Sequence, residues 1–250
     1  MPPPRVALVT GSGKKRVGSA VAEALARRGY AIAVHYRSSA AEAEETANAL
    51  RTHGVEVATF PADLTDEVAV RSLVAAVLAK FGRIDVLVNC AAIWKRKPLE
   101  EVTAADVRMH FETNALGTFL CSQHVGLAMV AQPEGGAIVT LGDWAEARPY
   151  LGYAAYFPSK GAITALTRCL AVELGTRNPR VRVNQINPGP VMLPADLPEA
   201  EKQHAIAATL VKREGSPDNI AKAVLALVEN DFMTGACLTV DGGRTVYAPE

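Results

Sequence analysis

A chain of 250 residues with 26 Lys and Arg against 26 Asp and Glu has a formal net charge of zero at neutral pH. With 49% apolar and 21% charged residues it has the make-up of one or two soluble globular domains, and a single α/β domain commonly reaches this length. The balance argues against a nucleic-acid partner, which would bring a basic excess, and no apolar run reaches the roughly 18–20 residues of a membrane helix. Met1-Pro2-Pro3-Pro4-Arg5 leads straight into a strand-like run, so no secretory signal is expected. Of the four cysteines, Cys90, Cys121, Cys169 and Cys237, none forms a C-x-x-C pair or lies near His at zinc spacing. Buried reduced thiols in a cytoplasmic protein without a metal are the expectation.

In chain order, strand and helix signals alternate. Val6–Thr10 is a short β-branched run, and Val17–Arg28 carries Val17, Val21, Ala24 and Leu25 at helical spacing before Gly29. Ala31–Tyr36 predicts a second strand and the Ala/Glu-rich stretch Ala40–Arg51 a helix. Val55–Phe60 predicts a third strand, Val70 to Phe81 the stripe of a helix, and Ile84–Val88 a fourth strand. Beyond these come a long helix over Asn114–Val130, a strand at Gly136–Leu141, a helix over Tyr153–Leu174 and a strand at Val181–Ile186. A helix capped by Ser216 with Pro217 in its first turn runs to about Asn230, and a last strand spans Cys237–Val240. Strands apolar throughout are buried on both faces, as in a parallel sheet covered by helices on either side. No repeat and no linker interrupts the pattern, so one α/β domain spans 1–250. Its irregular piece, Pro188–Gly215, has prolines at 188, 190, 194 and 198 around one short helix; such an excursion is expected to act as a lid.

The first strand ends in Thr10-Gly11-Ser12-Gly13-Lys14-Lys15-Arg16-Val17-Gly18 and a helix begins. Glycines let the backbone approach a pyrophosphate, and the helix start offers free N–H groups and a positive dipole end. An NAD site usually places Asp or Glu at the end of the second strand to bond the ribose 2′-hydroxyl. Here that segment reads His35-Tyr36-Arg37-Ser38-Ser39, with Lys14, Lys15 and Arg16 in the facing loop. Cations at both places fit a 2′-phosphate, so NADP(H) is the expected cofactor. Tyr156-Phe157-Pro158-Ser159-Lys160 opens a helical pattern with Tyr156 and Lys160 on one face at i, i+4. An ammonium beside a phenol is expected to lower its pKa from roughly 10 and make it a proton donor and acceptor near neutrality.

Together these elements resemble the short-chain dehydrogenase/reductase family over nearly the whole chain. Thr10–Gly18 stands for the cofactor loop, Asp63 and Leu64 in Ala62-Asp63-Leu64 for the family residues near the adenine, and Asn89-Cys90-Ala91-Ala92 for its Asn-Asn-Ala-Gly. Asn114 matches the catalytic asparagine, Tyr156 and Lys160 the Tyr-x-x-x-Lys pair, and Pro188-Gly189 and Val240-Asp241-Gly242-Gly243 the late motifs. The resemblance implies a doubly wound Rossmann sheet of about seven parallel strands and hydride transfer with NAD(P)(H). It implies that Lys160 also holds the nicotinamide ribose and that Asn114 holds a proton-relay water. It further implies tetramers built through the two long central helices, and cofactor contacts from Gly11, Lys14, Arg16, Val17, Gly18, His35, Arg37, Ser38, Asn89 and Ala91.

One departure is informative. The family has a serine 13 residues before the tyrosine, and here that position is Asp143. A carboxylate donates no hydrogen bond and repels the oxyanion of a ketone. It suits a substrate that carries N–H donors or takes up a proton at a ring nitrogen, as a 2-amino-4-oxopterin does. At this point the chain is similar to the pteridine reductases, including the dihydromonapterin type, which carry Asp here. The subgroup also matches Arg16-Val17-Gly18 and His35-Tyr36-Arg37-Ser38, and it has a Leu-Gly-Tyr stretch like Leu151-Gly152-Tyr153. In that resemblance Trp94 stacks on the pterin and Tyr153 lines its pocket. The glycine loop is one residue longer than usual in the subgroup, and Ala92 replaces a serine. His53, His110, His124 and His204 show no motif and are expected to be structural or on the surface. Three readings fit these residues: a pterin reductase using NADPH, a general carbonyl reductase of the same family, and a non-catalytic NADP(H)-binding regulator.

Overall fold

The structure is a computed structural model that describes residues 3–193 and 197–247. Seven parallel strands form one sheet in the order β3-β2-β1-β4-β5-β6-β7. They are β1 (Val6–Thr10), β2 (Ala31–Tyr36), β3 (Val57–Pro61), β4 (Val86–Asn89), β5 (Gly136–Leu141), β6 (Val181–Pro188) and β7 (Cys237–Val240). The helices are α1 (Val17–Ala26), α2 (Ala40–Arg51), α3 (Glu67–Phe81), α4 (Ala104–His110), α5 (Gly117–Val130), α6 (Phe157–Gly175), α7 (Glu199–Ala207) and α8 (Pro217–Glu229). β1 is buried along its whole length, as an apolar strand covered on both faces must be.

Two cores result. Val70, Leu73, Leu120, Val125, Leu170 and Leu174 pack α3, α5 and α6 on one face of the sheet. Val21, Leu25, Leu50, Ile220, Val224 and Leu227 pack α1, α2 and α8 on the other. The strand order reverses between β1 and β4: β1 is followed by β2 on one side of it and β4 by β5 on the other. Such a switch point opens a crevice at the carboxyl ends of the strands, where ligands of open α/β sheets bind.

Two expected helices start elsewhere. The long helix at Asn114 begins earlier, as α4, passes through a π-helical stretch at Phe111–Leu116 and continues as α5. The wide turn adds a residue to the helical period, so periodicity alone places the start too late. The helix expected from Tyr153 starts at Phe157, because Pro158 occupies its first turn and Tyr153–Tyr156 form a separate turn closed by Tyr156 N–H donating to the Tyr153 carbonyl at 2.9 Å. The excursion at 188–215 contains the short helix expected there, α7, and Pro194 lies outside the described residues. The thiols also differ from expectation: Cys121 is buried, Cys90 and Cys237 are half-buried and Cys169 is exposed, all four free. No helix among the described residues is long and apolar enough to cross a membrane.

Candidate active site

The crevice is built by the turns that follow β1 and β4. Gly11 has φ +63°, and a Cβ there would stand 2.9 Å from Cα of Ala91, so the two turns meet backbone to backbone. Thr10 Oγ1 fixes the second turn by accepting from the N–H groups of Cys90 and Ala91 at 3.0 and 3.1 Å. A Cβ on Gly18 would stand 2.7 Å from the Gly11 carbonyl oxygen, so α1 packs tightly under the loop. The first turn of α1 holds no acidic residue, which leaves its dipole end open to an anion.

The cations expected around a 2′-phosphate, Lys14, Lys15 and Arg16 in the loop and Arg37 after β2, are exposed, as is Ser38. Lys14 Nζ lies 3.5 Å from Glu42 Oε1. Val17 is half-buried beside the loop. Asp63 is exposed, and its Oδ1 accepts from the N–H and hydroxyl of Thr65, bonds that hold its carboxyl below the usual range. Leu64 is buried beneath it. Pro188 ends β6, and Gly189 N–H donates to the Val240 carbonyl at 3.0 Å, which ties the late motifs together.

The side chains of two residues expected to touch a cofactor are engaged within the protein. His35 is buried at the end of β2; its Nδ1 accepts from Gly11 N–H at 3.0 Å, so its Nε2 carries the proton to the Ala62 carbonyl at 3.1 Å. Burial holds its pKa down at about 4, and the neutral ring supports the glycine loop from behind. Asn89 is buried and donates to Ser122 Oγ at 3.0 Å, a link from β4 to α5. Sequence pattern sets which residues a strand end contains, whereas the direction of each side chain follows from the register of the neighbouring strands.

The expected reacting residues do converge. Tyr156 hydroxyl donates to Asp143 Oδ2 at 2.8 Å. Burial raises the Asp143 pKa, against the opposing pull of the Ala145 N–H, the Tyr156 bond and Lys160. Burial and the Asp143 carboxylate raise Tyr156 well above 10, the reverse of the lowering expected from Lys160. Lys160 is itself buried, commits a donor to the Leu141 carbonyl at 2.8 Å, and has its pKa lowered by burial. Its ammonium stands 5.9 Å from the Tyr156 ring centroid. One proton is thus held between a phenol and a carboxyl, each a poorer anion than in water.

Asn114 is fully buried in the π-helical stretch. Its Oδ1 accepts from Ile93 N–H at 2.8 Å, and its Nδ2 donates to the Ile93 carbonyl and to Ser159 Oγ, each at 3.0 Å. Both amide hydrogens are committed, so the side chain staples the turn after β4 to α6 rather than offering donors to a relay water. Trp94 and Tyr153 also meet: their rings stack at 5.0 Å between centroids and 3° between planes. Tyr153 is buried and Trp94 39% exposed, so the pair presents a flat apolar wall at the crevice. Tyr153 in turn lies edge-on to Tyr156 at 6.2 Å.

Sequence reasoning passed over Glu146. Its Oε1 accepts from Asp143 N–H at 2.9 Å, and Asp143 Oδ1 accepts from Ala145 N–H at 2.9 Å, a reciprocal cap on a short 3-10 turn. The signal was present as Asp143-Trp144-Ala145-Glu146, the spacing of a capping box. Tyr150, edge-on to Tyr153 and Phe157 at 5.1 and 5.0 Å, also belongs to the aromatic wall. Among the described residues no cluster of three His, Cys, Asp or Glu could hold a metal.

The close glycine turn, the acid-free first turn of α1 and the nearby cations fit a dinucleotide. The profile of a family described as enoyl-(acyl carrier protein) reductase matches residues 12–245. The chain is 35% identical to an uncharacterized oxidoreductase of Methylorubrum extorquens, over 96% of this chain and 97% of that one. It is 32% identical to pteridine reductase 1 of Leishmania tarentolae, over 96% of each. The crystal structure of acetoin dehydrogenase from Enterobacter cloacae superposes with a TM-score of 0.89 at 31% identity, covering 100% of this chain and 99% of that one.

Proposed function

The chain belongs to the short-chain dehydrogenase/reductase family, an oxidoreductase with a nicotinamide cofactor, and from that premise we propose that it reduces a C=N bond of a pterin-type substrate with NADPH. The observation that carries the reading is the Tyr156–Asp143 hydrogen bond of 2.8 Å, with a carboxylate where a hydroxyl would serve a ketone. Support for NADPH comes from exposed Arg37 and Ser38 just after β2 and exposed Lys14, Lys15 and Arg16 in the glycine loop, where NAD would call for an acid at the strand end.

Gly11, Ala91 and the start of α1 would hold the pyrophosphate, Asp63 and Leu64 would flank the adenine, and Lys160 would hold the nicotinamide ribose. When bound, the nicotinamide supplies the hydride. The Trp94–Tyr153 wall orients a flat ring by offset stacking, worth about 0.5–1.5 kcal/mol beyond area burial. Asp143 accepts N–H donors of that ring. The Tyr156–Asp143 pair delivers its proton to the ring nitrogen as the adjacent carbon is reduced. Because burial raises both pKa values, the pair holds that proton until a base is presented. The 188–215 segment, with α7, serves as the lid in this reading. The four free cysteines fit a reducing compartment such as the cytoplasm. The outward faces of α5 and α6, with Leu127 and Val172 exposed, fit a homotetramer interface.

The test is oxidation of NADPH and NADH with dihydrobiopterin and dihydromonapterin. Turnover with NADPH preferred is expected. No turnover of either pterin, alongside turnover of a simple ketone or quinone, overturns the reading in favour of a general carbonyl reductase, a reading favoured by the superposition on acetoin dehydrogenase. Cofactor binding without turnover of any of these substrates would point to a regulator.

A further inference from the structure

Beside the aromatic wall lies a cavity of about 260 Å³, lined by Lys95, Arg96, Lys97, Asp106, His110 and Gly152 among others. A pocket for a whole ligand usually holds roughly 300–1,000 Å³; this one has the size of a substituent. Lys95, Arg96 and Lys97 follow Trp94 directly, and the strip is tied to the Tyr153 turn by Lys97 N–H donating to the Gly152 carbonyl at 2.8 Å.

The three cations are not equally engaged. Lys97 pairs with Asp106 at 2.7 Å. Arg96 meets Glu201 of α7 at 3.3 Å, with both side chains about half exposed, a pairing of little net strength. Lys95 Nζ reaches Met109 Sδ at 3.6 Å, and among the described residues no carboxylate lies within ion-pair distance of it.

His110 supplies an independent sign of a ligand. It is 1% exposed. Its Nδ1–H donates to the Asp106 carbonyl at 2.8 Å, which in the neutral ring makes Nε2 the acceptor, and Nε2 is buried with no partner among the described residues. Buried polar atoms are nearly always satisfied, and an orphan calls for a partner. The same ring packs edge-on against Tyr156 at 6.1 Å, so it joins the cavity to the reaction centre.

We propose that this cavity receives an anionic arm of the substrate, a carboxylate or phosphate ester, with an N–H or O–H donor between the anion and the ring. His110 Nε2 accepts from that donor. Lys95 and Arg96 pair with the anion, which takes the place of Glu201 and so couples arm binding to the position of α7. The proposal rests on the reading of the Trp94–Tyr153 wall as the ring site, and its test separates the two.

The first arm uses inorganic phosphate as the probe, on enzyme saturated with NADPH so that the cofactor's own phosphate sites are filled. At constant ionic strength phosphate raises Tm by about 2–4 °C, and the Lys95→Met/Arg96→Met variant shows no rise. No rise in the parent enzyme, or an equal rise in the variant, overturns the cavity as an anion site. Lys95→Glu, a charge reversal at an exposed position, gives the same readout should the double variant fold poorly.

The second arm compares 7,8-dihydroneopterin with its monophosphate. The phosphate ester is expected to lower KM by about tenfold with kcat little changed, the effect of one charge-assisted hydrogen bond realised in ground and transition state alike. In the double variant that ratio falls to about one. Equal KM values for the pair overturn the cavity as a substrate subsite. Absence of turnover with both pterins overturns the pterin reading instead, and the phosphate arm then decides the cavity by itself.

Discussion

At the scale of single residues, the proposed pterin chemistry turns on Asp143. Replacing the family's hydroxyl with a carboxylate removes a donor to an oxyanion and adds an acceptor for N–H groups. Asp143→Ser is therefore expected to lower kcat/KM for a dihydropterin by about 10²-fold, within the range for loss of a positioned acid–base group, and to raise it for simple ketones; steady-state rates on both substrates check this. His35 gives a prediction that needs no substrate. Its folded-state pKa is about 4 against about 6.5 in an unfolded chain, so the unfolded chain takes up the proton first. The stabilisation is complete above pH 6.5 and is lost as the pH falls toward 4, by up to about 3 kcal/mol. A protonated ring would also lose its bond from Gly11 N–H. Denaturant midpoints followed from pH 7 to 4 should drop in the parent protein, and His35→Gln should flatten that part of the profile. The identity of His35 was legible in the sequence. Its inward direction was not, because an imidazole at a strand end can face either side until the neighbouring strands fix the pleat.

At the scale of elements, β1, the glycine turn and α1 act as one device. The Gly18 Cα lies so near the Gly11 carbonyl that a methyl group would come within 2.7 Å of it, an overlap that shifts backbone at a cost of about 1–3 kcal/mol. Gly18→Ala is expected to lower the midpoint of thermal unfolding and to weaken NADPH binding more than tenfold, since the shift moves the N–H groups of the turn; calorimetry and a fluorescence titration report the two separately. Most boundaries in this half of the chain were legible, because alternation of apolar runs with amphipathic stripes is a local signal. α4 was not: Ala104–His110 spans seven residues, too few for its period to stand out. The π-helical stretch at Phe111–Leu116 likewise has no sequence period of its own, yet it aims Asn114 at Ile93. The displaced start of α6 has a local cause in Pro158, which is favoured in a first turn.

At the scale of the molecule, the sheet brings residues from the ends of β4 and β5, from the π-helical stretch and from α6 to one edge. The opposite helix faces leave Leu127 and Val172 exposed on α5 and α6. If these faces form the subunit contact, Val172→Glu should shift the mass seen by light scattering from tetramer to dimer or monomer, and an unchanged mass would remove these helices from the interface. The sequence by itself determined the alternation of strands and helices, the glycine turn after β1 and the identities of Asp143, Tyr156 and Lys160, because each is written in local spacing and residue chemistry. Only the tertiary structure decided that Tyr156 stays protonated and donates a hydrogen bond to Asp143 rather than being ionised by Lys160, that His35 and Asn89 brace the crevice from within, and that His110 lies beside a cationic cavity. Those outcomes depend on burial and on distances between residues far apart in the chain, which no local pattern contains.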